Sequence, residues 1–243
     1  MQGILYISHG SRVPEATAEA SACIKDVMDH VGMPLQEICF LELAEPTIEQ
    51  GMANLVSQGA TRIAIVPVLL LSAGHYYKDI PEDIQEAKKS YPDITFTYGE
   101  PLGVQERLTD VLVDRLKETA VIPGPDARIL LVGRGSKNQQ TKRDIEQIKY
   151  HLKKKAGIQT EIGFLAASEP PFEESLQSLL TDGSQQIFII PYLWFTGILM
   201  RQLEARTQEL QEQGFNVYLC RQLGSHQLMQ EALRERVFES IES

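Results

Sequence analysis

The chain of 243 residues is written twice. ILYISHGSR, beginning at Ile4, returns as ILLVGRGSK at Ile129, 125 residues later. FLELAEPTIE at Phe40 returns as FLAASEPPFE at Phe164, and GATRIAIVPVLLLSAG at Gly59 as GSQQIFIIPYLWFTGI at Gly183, each 124 residues on. Three blocks in one order at nearly one offset predict a duplicated unit of about 120 residues, an ordinary domain size. Whatever fold one half adopts, the other must adopt too. The halves are expected at 1–120 and 126–243, joined by the turn-rich Val121-Ile122-Pro123-Gly124-Pro125.

Each half reads β-α-β-α-β-α-β-α. Strands are expected at 3–7, 36–41, 62–71 and 94–98, and again at 128–132, 160–164, 186–195 and 216–219. These runs are apolar and β-branched with little alternation, as strands covered on both faces should be. Helical spacing marks 14–31, 47–57 and 104–118, then 139–156, 172–180, 199–213 and 227–241. Gly59 follows a helix end, where a left-handed residue is wanted. The fold class is therefore α/β: two similar lobes, each a four-stranded parallel sheet flanked by helices.

Composition excludes several classes. A net charge of −10 argues against a non-specific nucleic-acid binder, which needs a basic face. Cys23, Cys39 and Cys220 are odd in number and far apart, so neither a disulfide framework nor an all-cysteine metal site is expected. The longest apolar run, 187–200, is interrupted by Pro191 and falls short of the ~20 residues of a membrane helix. Met1 to Ile7 lacks the basic flank of a signal peptide. The expectation is a soluble, cytoplasmic protein.

In parallel sheets, ligands bind beyond the carboxyl ends of the strands. In the first half those positions hold His9, Glu42 and His75. Two imidazoles and a carboxylate suit a divalent metal, and each can also take a proton. The repeat supplies an internal control. Arg134, Ala166 and Leu199 stand at the equivalent positions of the second half. Residues needed for folding should recur, as do Glu45/Glu169, Pro46/Pro170 and Pro67/Pro191; the three that do not recur are assigned to chemistry.

Glu45, shared before a proline, reads as a carboxylate near a helix N-terminus. Ser11 and Ser136 are expected to cap the following helices. His30, His151 and His226 read as solvated surface. Arg12, Arg134 and Lys137 lie on the same predicted rim, with Lys78 and Arg201 after the third strands. Singly, each reads as surface; together they could hold carboxylates. Tyr76, Tyr77, Trp194, Phe195, Leu199 and Met200 could form an apolar wall, with a core role equally open for Trp194 and Phe195.

SHGSR at 8–12, FLELAEPTIE at 40–49 and VPVLLLSAGHYYKDIP at 66–81 resemble the class II tetrapyrrole chelatases, in the two-lobed bacterial form that acts on sirohydrochlorin in siroheme biosynthesis. The resemblance covers nearly the whole chain and implies an active-site cleft between the two lobes. It implies a lyase that inserts Fe2+ into a tetrapyrrole without ATP, with Co2+ or Ni2+ as alternative metals and no other cofactor. It places metal binding and catalysis on His9, His75 and Glu42. The substrate carries eight carboxylates, for which Ser11, Arg12, Arg134 and Lys137 are the candidate contacts. Related cobalt chelatases carry a histidine-rich tail or a cysteine cluster, and neither is present here. The implied partners are the tetrapyrrole and the metal, with no nucleic acid or membrane, in a monomer or homodimer. A cobaltochelatase of cobalamin biosynthesis and a non-catalytic metal or tetrapyrrole carrier are the alternatives. Histidine phosphatases also place His-Gly after a first strand, but they need an arginine beside it, where this chain has Ser8.

Overall fold

The computed structural model describes residues 1–72 and 74–242, with His75 described by its backbone alone. The first four strands are β1 (Gln2–Ser8), β2 (Leu35–Phe40), β3 (Arg62–Pro67) and β4 (Thr95–Tyr98). They form one parallel sheet in the order β2-β1-β3-β4. The second four are β5 (Ala127–Gly133), β6 (Gln159–Phe164), β7 (Gln186–Tyr192) and β8 (Val217–Leu219), in the matching order β6-β5-β7-β8. Crossover helices α1 (Pro14–Val31), α2 (Ile48–Ser57) and α3 (Ile80–Ser90) serve the first sheet, and α5 (Gln139–Ala156), α6 (Phe172–Thr181) and α7 (Ile198–Glu212) the second. Two further helices are α4 (Glu106–Glu118) and α8 (Gln227–Glu242). Among the described residues, no helix is long and apolar enough to cross a membrane.

Local sequence explains the boundaries. Pro14 opens α1 at a position where its missing N–H costs nothing, and left-handed Gly32 closes it. Thr47 and Gln50 form a reciprocal capping box on α2. β1 is buried from Gly3 to Ser8, so its apolar run has no polar alternation. Cys23, Cys39 and Cys220 are free and buried; burial pushes the Cys220 thiol up to about 12, which makes it an inert core residue.

Two strands are shorter than expected. β3 stops at Pro67 rather than 71 and β7 at Tyr192 rather than 195. The apolar run continues because Val68 is buried, but the backbone changes partner. Leu69 and Leu70 carbonyls accept from Leu102 and Gly103, and Leu193 and Trp194 carbonyls accept from Leu223 and Gly224.

The compact units also differ from the expected lobes 1–120 and 126–243. One unit is Met1–Gly103 together with α8; the other is Val104–His226. The two copies have exchanged their final helices. α8 packs on α1, β3 and β4, burying Met229, Ala232, Leu233 and Val237. α4 packs on α5 and β7. Its buried Arg115 donates from Nε to the Gln222 carbonyl (2.9 Å) and from Nη2 to the Leu223 carbonyl (2.6 Å), both in the loop after β8. The first unit makes the matching contact, Arg236 Nη2 of α8 donating to the Leu102 carbonyl (3.1 Å) in the loop after β4.

Truncating the fully buried Leu233 to Ala should cost about 2–5 kcal/mol. Hydrogen exchange should accelerate in β3 and β4. Acceleration centred on β7 instead would show that α8 belongs to the other sheet.

Candidate functional site

The exits of the first two strands in each sheet are welded by their backbones. Leu41 N–H donates to the Ser8 carbonyl (2.9 Å) and Glu42 N–H to that of His9 (3.2 Å). In the second unit, Leu165 and Ala166 donate to Gly133 (3.0 Å) and Arg134 (2.9 Å). Gly10 has φ +87°, and a Cβ built on it would lie 1.8 Å from the Glu42 carbonyl oxygen; Gly135, at φ +90°, would meet Ala166 at 1.7 Å. Only glycine permits both the left-handed backbone and this approach. Leu43 and Ala167 share a left-handed φ, and the Glu45–Pro46 and Glu169–Pro170 bonds are both cis. The two loops are one frame carrying different side chains.

On the first frame the side chains are His9 and Glu42. His9 Nε2 lies 3.6 Å from Glu42 Oε1, with the two side chains 26% and 50% exposed. His9 Nδ1 lies 3.2 Å from the Gly10 carbonyl oxygen. A carbonyl only accepts, so the tautomer with the proton on Nδ1 donates there and turns the Nε2 lone pair toward the carboxylate. Metal–nitrogen and metal–oxygen bonds are ~2.0–2.2 Å, so two ligands of one ion lie at most ~4.3 Å apart. At 3.6 Å the pair satisfies that limit without moving. It offers a divalent cation one nitrogen and one oxygen, or offers two protons two acceptors.

The third candidate, His75, opens a π-helical turn, His75–Asp79, that runs into α3; its side chain lies outside the described residues. Among the described residues, no group of three or more His, Cys, Asp or Glu is placed to hold a metal. Arg12 is exposed on the His9 loop; Arg134 and Lys137 are exposed on the equivalent loop of the second unit. Lys78 is exposed in the π-helical turn and Arg201 in α7.

Ser11 and Ser136 do not cap their helices. Ser11 Oγ accepts from Val13 N–H (3.0 Å) and Ser136 Oγ from Asn138 N–H (3.1 Å), closing hydroxyl turns upstream. The cap of α5 is Asn138, which accepts from Gln140 N–H, while α1 begins behind Val13 without a side-chain cap. Trp194 is buried and stacks on Phe195 at 5.2 Å, and Met200 lies in the second core. Met200 is therefore a packing residue of its unit. His226 is not simply solvated: its Nε2 lies 3.6 Å from Asp114.

The sequence reading missed a tyrosine cluster beside the π-helical turn. Tyr98 O–H donates to the Tyr76 carbonyl (2.9 Å), and the two rings stack at 5.0 Å. Burial, with Glu100 as acceptor and neighbouring charge, pushes the Tyr76 phenol upward, so it stays a donor. The HYYKD string held the signal as a pair of tyrosines after the histidine, but its partners come from β4.

The CbiX family model matches residues 3–119 and 128–240. A sirohydrochlorin ferrochelatase of Priestia megaterium is 44% identical over 98% of this chain and 90% of its own length. Among solved structures, SirB from Bacillus subtilis with Fe3+ is 41% identical with TM-score 0.88, covering 98% of this chain and 95% of that one. The sirohydrochlorin chelatase SirB from Bacillus subtilis subspecies spizizenii, in complex with cobalt, is 40% identical with TM-score 0.86, covering 99% and 95%.

Gly10→Ala should destabilise the protein by clearly more than Gly32→Ala. Gly32 has φ +67° with nothing described within 4 Å of a built Cβ, so it should lose only the left-handed term, ~1–2 kcal/mol. Urea midpoints measure both. Equal costs would mean that the close approach to Glu42 carries no energy.

Proposed function

The chain belongs to the CbiX family, and from that membership we propose that it is a sirohydrochlorin ferrochelatase, a lyase that inserts Fe2+ into sirohydrochlorin without ATP to give siroheme. The observation that carries this is the 44% identity to a sirohydrochlorin ferrochelatase across nearly all of both chains.

The chemistry suits the pair on the first frame. Insertion exchanges one M2+ for two pyrrole protons, so charge balances without an energy source. The protein must draw the ion from its water shell, present it to the ring nitrogens, and receive protons. We assign the first task to His9 Nε2, Glu42 and His75. As the ion leaves, His9 and Glu42 each regain a lone pair, so this pair alone can hold both protons. Arg12, Arg134 and Lys137 are assigned to the substrate carboxylates as charge-assisted donors, and Ser11, whose Oγ accepts from Val13 N–H, to the same rim.

The second unit supports giving His9 and Glu42 chemical work. It builds the same welded loops around Arg134 and Ala166, so the frame needs neither an imidazole nor a carboxylate. Cobalt is the second reading for the metal, favoured by the cobalt-bound relative.

Anaerobic mixtures of catalytic protein with excess sirohydrochlorin and Fe2+ should lose the free-base spectrum over many turnovers. His9→Ala should slow this by about 10²-fold or more and shift the melting temperature by only a few degrees. Stoichiometric uptake without turnover would instead make the protein a carrier. Faster turnover with Co2+ than with Fe2+ would make it a cobaltochelatase.

A further inference from the structure

The third strand of each unit leads into a helix, but the two connections differ. In the second unit α7 starts at Ile198 and runs as regular α-helix through Leu199, the equivalent of His75. In the first, His75 opens five residues of π-helix before α3 begins at Ile80. A π-helical turn has poorer packing than an α-helix and persists only where surroundings hold it. The tyrosines that surround this one are specific to the first unit.

Tyr76, next to His75, is held at both ends. Its carbonyl accepts from Tyr98 O–H (2.9 Å), its ring stacks on that of Tyr98, and its phenol donates to the Glu100 carboxylate. Tyr77 meets the Tyr76 ring edge-on at 5.1 Å. The residues holding Tyr76 are themselves braced by α8. Thr97 Oγ1 donates to the Ser240 carbonyl (2.5 Å), and Arg236 Nη2 donates to that of Leu102 (3.1 Å), with Nη1 paired to Glu239. The Arg236 charge also acts on the Tyr76 phenol. Gly99 lies so close to α8 that a Cβ there would sit 2.9 Å from that of Ser240.

Strand register identifies the equivalents. Tyr98 pairs with Ile65, and Leu219 with Ile189, the repeat partner of Ile65. Leu219 therefore replaces Tyr98, Arg221 replaces Glu100 and Met200 replaces Tyr76. The second unit folds without the stack, the phenol hydrogen bonds or the π-helical turn, just as it folds without His9 and Glu42.

We propose that Tyr98 and Glu100 are positioning residues for metal delivery: they clamp Tyr76 and thereby fix the π-helical turn whose first residue is His75. The inference rests on the metal-binding reading given above for His75. Neither residue touches the reacting atoms. Residues that orient a ligand in this way are worth 10–100-fold in metal affinity when removed.

The test uses the full-length protein, with Co2+ as an absorbing probe and no tetrapyrrole. Tyr98→Leu installs the residue the second unit carries. Its amides at 75–80 should exchange with solvent faster than in wild type, and its Co2+ affinity should fall about tenfold, while β1 and β5 keep their protection. Tyr98→Phe keeps the stacked ring and should recover most of the loss. Wild-type Co2+ affinity with wild-type exchange at 75–80 in Tyr98→Leu overturns the clamp. Should Tyr98→Leu fail to fold, Glu100→Ala, at an exposed position, is measured the same way. Several-fold weaker Co2+ binding with a loosened turn supports the clamp, and unchanged values overturn it. His9→Ala separates the two levels. A Co2+ signal indifferent to His9→Ala defeats the proposed function and the clamp together, whereas one that His9→Ala abolishes and Tyr98→Leu leaves intact defeats the clamp alone.

Discussion

The contact between a glycine and a carbonyl oxygen organises this protein. Gly10 lies against the carbonyl of Glu42 so closely that no side chain fits between them. Two strand exits are thereby locked backbone to backbone, and the side chains on either side of the contact must emerge together. His9 and Glu42 come within 3.6 Å of each other as neighbours of that contact rather than through any attraction of their own. A carboxylate half open to water and an imidazole about a quarter open would gain little by pairing, so the scaffold, and not the pair, sets their distance.

Duplication shows that the scaffold is indifferent to what it carries. The second unit repeats the glycine, the left-handed residue after the second strand and the proline turn, and places Arg134 and Ala166 where the first has His9 and Glu42. A frame fixed by main-chain geometry leaves its side chains free to diverge. One copy then carries an imidazole and a carboxylate and the other a guanidinium and a methyl group.

The parts of this organisation that recur were readable from the residues. Buried parallel strands announce themselves as unbroken apolar runs, and the non-recurring His9 and Glu42 stood out against the recurring prolines. What escaped depends on long-range choice. α4 and α8 occupy equivalent places in the repeat and make the same kind of contact, Arg115 with the Leu223 carbonyl and Arg236 with that of Leu102, so neither periodicity nor that arginine says which sheet each covers. The strand ends at Pro67 and Tyr192 escaped for a similar reason. Apolar character reports burial, and residues beyond those ends stay buried while their carbonyls turn to another loop. The serines were assigned by a propensity that does not distinguish a helix cap from a hydroxyl turn just ahead of one. The π-helical turn escaped because the residues that hold it, Tyr98 and Glu100, are separated from it by the whole of α3.

The exchange of helices imposes an order on synthesis. A chain emerging from the ribosome makes its first sheet long before it makes α8, and domains that are continuous in sequence can close as they appear. This one cannot. The faces of β3 and β4 that α8 covers must wait, apolar and uncovered, while the whole of Val104–His226 is made. The second unit, uninterrupted in sequence, can complete itself first. The half bearing His9 and Glu42 is therefore the last to be finished, and the loop that carries them settles only after its counterpart with Arg134 and Ala166 is already in place.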